Sequence, residues 1–135
     1  MLYLDASALV KRYVAEPGSE LVRRAMAREP SWFMCRIGFV ETVRAVGLAA
    51  GERAAAAVRT EWGSFGVIEV DAALADHAAT LALTEGLRSR DALHLAAALL
   101  LPGGAVTVAT WDERLHRAAR ANDLTVLPER IAAET

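Results

Sequence analysis

The chain is poor in several things at once, and each shortage excludes something. Cys35 is the only cysteine. A single thiol rules out an intramolecular disulfide and a thiolate metal cage, and it makes a reducing cytoplasm the expected location. Lys11 is the only lysine, and 15 basic residues stand against 17 acidic ones for a formal charge of −2. The global positive field common among nucleic-acid binders is therefore missing, so any such contact must be local. Long apolar runs are missing too. The longest alanine and leucine stretch, Ala92 to Leu101, is interrupted by His94 and is too short to cross a bilayer. No membrane association is expected, and Met1 leads straight into a strand without a signal-peptide pattern. Aromatics are sparse at 6%.

What is present is ample core material. With 135 residues, 54% of them apolar, the chain reads as a single domain over residues 1–135. Leu2 to Leu4 form a strand, and a helix through Ala8, Leu9 and Tyr13 is closed by Pro17 and Gly18. A helix follows over Ser19 to Arg28, then a strand over Ser31 to Cys35. Next come a helix carrying Ile37, Val40, Val43 and Leu48 to Gly51 and another from Glu52 to Trp62. Gly63 to Gly66 read as a break and Val67 to Val70 as a third strand. Asp71 suits the N-cap of a helix ending at Gly86. A helix from Arg90 to Leu101, a strand over Ala105 to Ala109, a helix from Asp112 to Ala121 and a strand over Leu124 to Leu127 complete the pattern. Only the last few residues read as unstructured. Alternating strands and helices imply an α/β fold with a mainly parallel central sheet covered by helices on both faces.

Four acids interrupt these apolar patterns: Asp5, Glu41, Asp91 and Asp112. Asp5 ends the first strand and Asp112 follows the Ala105 to Ala109 strand, so both belong at the carboxyl edge of the sheet, where ligands bind in such folds. Glu41 shares a helical stripe with Ile37, Ala45 and Leu48 and is expected to face inward. Asp91 opens its helix on the face of Leu95 and Ala98. Buried carboxylates need compensation, and no lysine or arginine is spaced to neutralise all four. A divalent cation would do so, and an all-oxygen donor set suits Mg²⁺ or Mn²⁺. Plainer roles stand beside this one. Asp5, Asp91 and Asp112 can each serve as a helix cap or first-turn acid, and Glu41 can pair with Arg44 or Arg36.

Four short segments carry a resemblance that covers nearly the whole chain. They are Tyr3-Leu4-Asp5-Ala6-Ser7-Ala8-Leu9-Val10-Lys11 with Tyr13 and Glu16; Phe39-Val40-Glu41-Thr42-Val43-Arg44-Ala45; Asp91-Ala92-Leu93-His94-Leu95-Ala96-Ala97-Ala98; and Thr110-Trp111-Asp112-Glu113-Arg114-Leu115. In order and spacing they resemble the motifs of the PIN-domain ribonucleases, in particular the VapC-type toxins of toxin–antitoxin pairs. That resemblance implies a PIN-like three-layer α/β/α sandwich. It also implies Asp5, Glu41, Asp91 and Asp112 as catalytic, metal-binding acids with Ser7 and Thr110 as supporting hydroxyls, and Mg²⁺, with Mn²⁺ as substitute, as cofactor. It implies an RNA substrate and a cognate antitoxin as partners. One departure is local: Cys35 and Arg36 stand where members often carry a serine or threonine.

The implied chemistry is metal-assisted hydrolysis, in which water attacks the phosphorus in line and the ribose 3′-oxygen departs, leaving a 5′-phosphate and a 3′-hydroxyl. Such a reaction needs no histidine pair. His94 then reads as hydrogen-bonded within the fold, and His77 and His116 as surface residues. Lys11, Arg12, Arg36, Arg88, Arg90 and Arg114 all flank a proposed ligand and form a candidate RNA-binding rim, with Lys11, Arg36, Arg90 and Arg114 retained as substrate contacts. Trp111 is the tryptophan best placed to stack on a base, with core packing the plainer role for it, Trp32 and Trp62. Apolar surplus in Val10 to Val22 and Val43 to Val58 predicts a homodimer and a helical groove for the antitoxin. A haloacid-dehalogenase-like phosphotransferase is disfavoured by Ser7, which stands where a second aspartate belongs, and a receiver domain by the lack of a later lysine. A flap-type DNA nuclease needs clamping elements for which the chain has no room. The remaining alternative is an inactive PIN-fold module that only binds an antitoxin or RNA.

Overall fold

Strand and helix patterns resolve as an open parallel sheet in the computed structural model, which describes residues 1–131; the expectation for the last few residues falls on 132–135, outside the described residues. The strands are β1 (Leu2–Leu4), β2 (Trp32–Cys35), β3 (Phe65–Ile68), β4 (Thr107–Ala109) and β5 (Thr125–Leu127). They lie in the order β3-β2-β1-β4-β5, and all four pairings are parallel. The helices are α1 (Ala6–Tyr13), α2 (Ser19–Arg28), α3 (Arg36–Ala50), α4 (Glu52–Glu61), α5 (Ala72–Thr84), α6 (Ser89–Ala98) and α7 (Glu113–Ala121). The chain forms an α/β/α sandwich.

Period-two alternation along β1 divides the core between the two faces. Tyr3 packs with Leu74, Leu95 and Leu115 of α5, α6 and α7. Leu2 and Leu4 pack on the opposite face with Leu9 of α1 and Val22 and Met26 of α2. Burying each such leucine contributes roughly 1.5–3 kcal/mol. The α3–α4 hairpin then packs on α1. Because β1 is flanked by β2 on one side and β4 on the other, the chain reverses direction of winding there, and the carboxyl ends of β1 and β4 bound a crevice. The amino end of α6 lies on the same edge, because its carboxyl end leads into the start of β4.

Several boundaries differ from those expected. The third strand begins at Phe65, two residues before the expected Val67. Gly66, read as a break, is a strand residue opposite Phe33, and a Cβ on it would meet the Phe33 ring at 2.6 Å. The chain break is instead absorbed by a 3₁₀ turn over Trp62–Ser64. Helix α6 stops at Ala98 rather than Leu101, and β4 starts at Thr107 rather than Ala105. Val40 and Leu48 of α3 are 63% and 73% exposed, so the stripe that starts at Ile37, packed on the core, and passes through Glu41 and Ala45 runs out to solvent at Leu48. The buried line of α3 is Gly38, Thr42 and Val46. His116, read as a surface residue, is buried, with Nε2 2.7 Å from the Pro128 carbonyl oxygen. His77 is exposed, as expected.

Candidate active site

Asp5 leaves β1 and turns back to cap α1, with Oδ1 accepting the Ala8 amide at 3.0 Å. The capping alternative therefore holds as geometry, but it occupies only part of the carboxylate. Ser7 Oγ donates to Oδ1 at 2.6 Å, and Thr110 Oγ1 donates to Oδ2 at 2.6 Å. Each hydroxyl owns one hydrogen, and both hydrogens are thereby spent on Asp5. Their lone pairs accept the amides of Trp111 at 2.9 Å and Asp112 at 3.0 Å. Two hydroxyls thus tie the end of β1 to the end of β4. Asp5 is buried, and burial raises its carboxyl above the usual aspartate range, opposed by His94 and by the Ser7, Thr110 and Ala8 hydrogen bonds.

Asp112, Asp91 and Glu41 are held differently, by cations and an imidazole. Asp112 caps α7 through Oδ1 and the Leu115 amide, 3.0 Å, leaving Oδ2 to accept from Arg88 at 2.9 Å. The same guanidinium donates through Nε to Asp91 Oδ2 at 3.1 Å. Arg90 stands 3.8 Å from Glu41 Oε2 and 4.0 Å from Asp91 Oδ1. Arginines reach Asp91, Asp112 and Glu41, and none pairs with Asp5 among the described residues, in line with the expectation that no lysine or arginine neutralises all four. The partners are Arg88 and Arg90 rather than Arg36 or Arg44, because they precede Asp91 by three and one residues at a helix start, where a fork can reach across the sheet edge.

Behind these acids runs a buried relay. Tyr3 Oη lies 2.7 Å from His94 Nδ1, and His94 Nε2 lies 2.8 Å from Glu41 Oε1. The Cys35 amide donates to Tyr3 Oη at 3.2 Å. With Tyr3 donating to Nδ1 and Nε2–H donating to Glu41, every polar hydrogen in this chain of groups has an acceptor. Burial holds the Tyr3 hydroxyl far above its ordinary pKa, which keeps it a donor. Gly38 permits the approach of α3, since a Cβ there would meet Met34 Cγ at 2.6 Å and His94 Cε1 at 3.2 Å. The hydrogen bonding expected of His94 is present, and it places His94 against one of the proposed acids. The Tyr3–His94–Glu41 chain was not foreseen. Its available signal was the spacing of His94 from Asp91, one helical turn on the same face.

All four acids line one cleft of about 420 Å³, together with Ser7, Lys11, Arg44 and Arg90. Thr110 lies beneath it, fully buried. Other predicted contacts fall elsewhere or are already engaged. Lys11 is buried, donates to Glu16 at 3.0 Å and the Pro17 carbonyl at 2.7 Å, and lies over the Trp111 ring at 4.8 Å. Gly18, at φ +93°, makes room for that ring, which a Cβ would strike at 2.8 Å. Arg36 is exposed and paired with Glu69 at 2.6 Å, and Arg12 with Glu61 at 2.7 Å. Arg114 borders a separate hollow with Glu85 and Arg117. Arg44, weighed only as a partner for Glu41, lies on the cleft wall.

The donor set can be tested against a hard cation. Glu41 Oε2 and the buried Asp91 Oδ1 carry no hydrogen bond among the described residues, and every acid in the cleft offers oxygen. No three of these groups are drawn together as a finished ion cage in the described residues. Arg88 and Arg90 supply the compensating charge instead. The residues fit a Mg²⁺-type ion in chemistry and number, with the arginine-held oxygens available to it by exchange.

An all-parallel α/β/α sheet with an acidic, hydroxyl-braced cleft where β1 and β4 end defines a class of domain in which chemistry is built from carboxylates at the switch point. A model of the PIN domain matches residues 2–121, and the chain belongs to the PIN-domain family, within its VapC group. It is 33% identical over 140 residues to Ribonuclease VapC49 of Mycobacterium tuberculosis, with 97% of each chain covered. Its fold matches that of VapC20 of Mycobacterium tuberculosis, described as a sarcin-ricin loop cleaving toxin, with a TM-score of 0.76 at 18% identity over 87% of this chain and 95% of that one. A toxin–antitoxin complex from Klebsiella pneumoniae matches with a TM-score of 0.66 at 18% identity, over 83% of this chain and 87% of that one.

Proposed function

We propose that this chain is a metal-dependent endoribonuclease toxin that hydrolyses RNA phosphodiester bonds and is silenced by a cognate antitoxin. The observation that carries the reading is the meeting of Asp5, Glu41, Asp91 and Asp112, drawn from four separate segments, on one cleft. A 33% identical relative that bears the name ribonuclease supports it. Neighbours described as a sarcin-ricin loop cleaving toxin and a toxin–antitoxin complex agree with it in fold.

Asp5, Glu41, Asp91 and Asp112 would hold the ion, Mg²⁺ by preference and Mn²⁺ as substitute. Such an ion supplies Lewis acidity toward the phosphate and lowers the pKa of water. The protein's own contribution is orientation. Ser7 and Thr110 fix both Asp5 oxygens, and Tyr3 acting through His94 fixes Glu41 Oε1. Glu41 Oε2, without a hydrogen bond among the described residues and 3.8 Å from Arg90, would take a proton from the attacking water. Water adds to phosphorus, the bond to the ribose 3′-oxygen breaks, and that oxygen takes a proton from solvent water in the open cleft, giving a 5′-phosphate and a 3′-hydroxyl. Arg44 and Arg90 on the cleft wall would meet an incoming phosphate. Lys11 is held by Glu16, Arg36 pairs with Glu69 on the surface, and both would contribute less.

Val22, Val46 and Val58, counted in the sequence as surplus, are buried within the monomer, so the homodimer rests on the exposed Val40 and Leu48 of α3. Light scattering coupled to size exclusion should show a dimer at micromolar concentration. The central test is cleavage of labelled RNA with Mg²⁺, Mn²⁺ or EDTA, with end-group analysis of the products. Metal-dependent cutting that leaves 5′-phosphates is expected. Cutting unaffected by EDTA, or 2′,3′-cyclic ends, would overturn the mechanism, and no cutting with antitoxin binding intact would make the chain a binding module.

A further inference from the structure

We propose that the arginine row Arg114, Arg117 and Arg120 of α7 is a track for the RNA backbone outside the cleft, an inference that rests on the ribonuclease reading above. Most cations around the acids are already engaged: Arg88 with Asp91 and Asp112, Arg90 near Glu41 and Asp91, Lys11 with Glu16, Arg12 with Glu61 and Arg36 with Glu69. Substrate phosphates entering an acidic cleft need positive charge that is not spent on carboxylates. Arg44 on the cleft wall supplies one such charge, and the α7 row supplies three more beyond it. All three side chains are exposed, and none forms an ion pair among the described residues.

Their spacing of three residues keeps them on neighbouring turns, and from the helical rise the row spans about 9 Å. It starts beside Asp112, the cap of α7, and runs from the cleft edge of the sheet toward the opposite edge. Arg114 and Arg117 border a hollow of about 150 Å³ against Glu85 and Gly86. Helix stability explains part of this pattern. Arg120 in the last turn suits the negative end of the helix dipole, and the buried face of Leu115, Ala118 and Ala119 anchors α7. Arg114 is unexplained in that way, since it sits in the first turn at the positive end, where a cation is disfavoured. Helix α4 brackets its arginines between Glu52 and Glu61, whereas α7, like α2, has no glutamate after its first turn, and in α7 that arrangement starts at the cleft edge of the sheet.

The test measures anisotropy of a fluorescein-labelled single-stranded RNA of mixed sequence across a salt series. Asp5→Asn protein is used so that the probe is not cut. It is compared with Asp5→Asn carrying Arg114→Gln, Arg117→Gln and Arg120→Gln, and with an equal-charge control carrying Arg23→Gln, Arg28→Gln and Arg53→Gln on the exposed faces of α2 and α4. Three phosphate contacts predict a slope of log affinity against log salt that is shallower by roughly 2 in the row variant, with the control near the parent. In the otherwise wild-type chain the row variant should raise KM and leave kcat unchanged. Equal slopes in row variant and control, while the wild type cleaves RNA, would overturn the track alone. A wild type that neither binds nor cuts RNA would overturn the ribonuclease reading with it. Unchanged RNA binding with lost binding of polyaspartate would assign the row to an acidic protein segment instead.

Discussion

The two halves of the cleft hold their carboxylates by opposite means. Asp5 is buried and gripped by neutral donors, two hydroxyls and an amide, whose other bonds run into the backbone after β4. Asp91, Asp112 and Glu41 are held across the cleft by Arg88, Arg90 and His94. Neutral donors bonded to the main chain cannot be exchanged for an ion without disturbing the sheet edge. A guanidinium on a flexible stem can be. The comparison therefore separates a fixed half, set by the fold, from an adjustable half whose carboxylates can pass from an arginine to another cation.

The largest effect should come from the fixed half. Asp5→Asn keeps the shape and most of the hydrogen bonds but removes the charge, and cleavage should fall by roughly 10³-fold, the scale of losing a group that stabilises charge at the reacting centre. Retained cleavage would remove Asp5 from the site. The relay behind Glu41 should matter less. His94→Gln keeps a donor for Glu41 but loses the bond to Tyr3, and activity should drop about 10–100-fold, as when an outer-shell partner of a ligand is lost. Tyr3→Phe strands both the Cys35 amide and His94 Nδ1 in a buried place, so it should also cost about 1–3 kcal/mol in urea unfolding. A His94→Gln enzyme with wild-type kcat would show that Glu41 needs no alignment.

The adjustable half gives a sharper contrast, because stability and ion binding should move in opposite directions. Arg88→Gln removes the cation shared by Asp91 and Asp112, so the protein in EDTA should melt lower while Mn²⁺ titrated calorimetrically binds more tightly. Parallel losses of both would mean that Arg88 is a strut rather than a cation that exchanges. The conservative Arg88→Lys should fall between, since an ammonium replaces the charge without the fork.

Much of this was legible in the residues themselves. The strand-end position of Asp5, the cap-like setting of Asp112 and the parallel order of elements all follow from apolar runs ending at acids. The third strand was misplaced because Gly66 carries a breaker's signature, and only the Phe33 ring across the sheet explains why glycine sits inside a strand. The Arg88 bridge from Asp91 to Asp112 was not foreseen because it reaches between the starts of α6 and α7, a contact that joins residues 24 positions apart. Spacing along one helix cannot express that. Tyr3 looked like one more apolar strand residue, and its hydroxyl gains meaning only when α6 places His94 against it.

The smallest effect is one of pH, and it isolates the fixed half from the adjustable one. Burial raises the Asp5 carboxyl in the folded protein above its ordinary value near 3.8, which the unfolded chain recovers. Between those two values the folded state holds a proton that the unfolded state has lost, so stability contributed by this group falls as pH rises through the interval. Above the folded value the full cost of a buried anion is present unless an ion joins it. Glu61, lowered by its hydrogen bonds from Arg12, acts in the opposite sense and loses stability as pH falls. Comparing wild type with Asp5→Asn cancels that contribution. In EDTA, the melting temperature of Asp5→Asn minus that of wild type should grow with pH from the ordinary carboxylate range upward, and Mn²⁺ should shrink it at neutral pH. A flat difference would mean that His94, Ser7, Thr110 and Ala8 together fully offset the burial of Asp5, leaving the two halves alike in energy and different only in the donors they use.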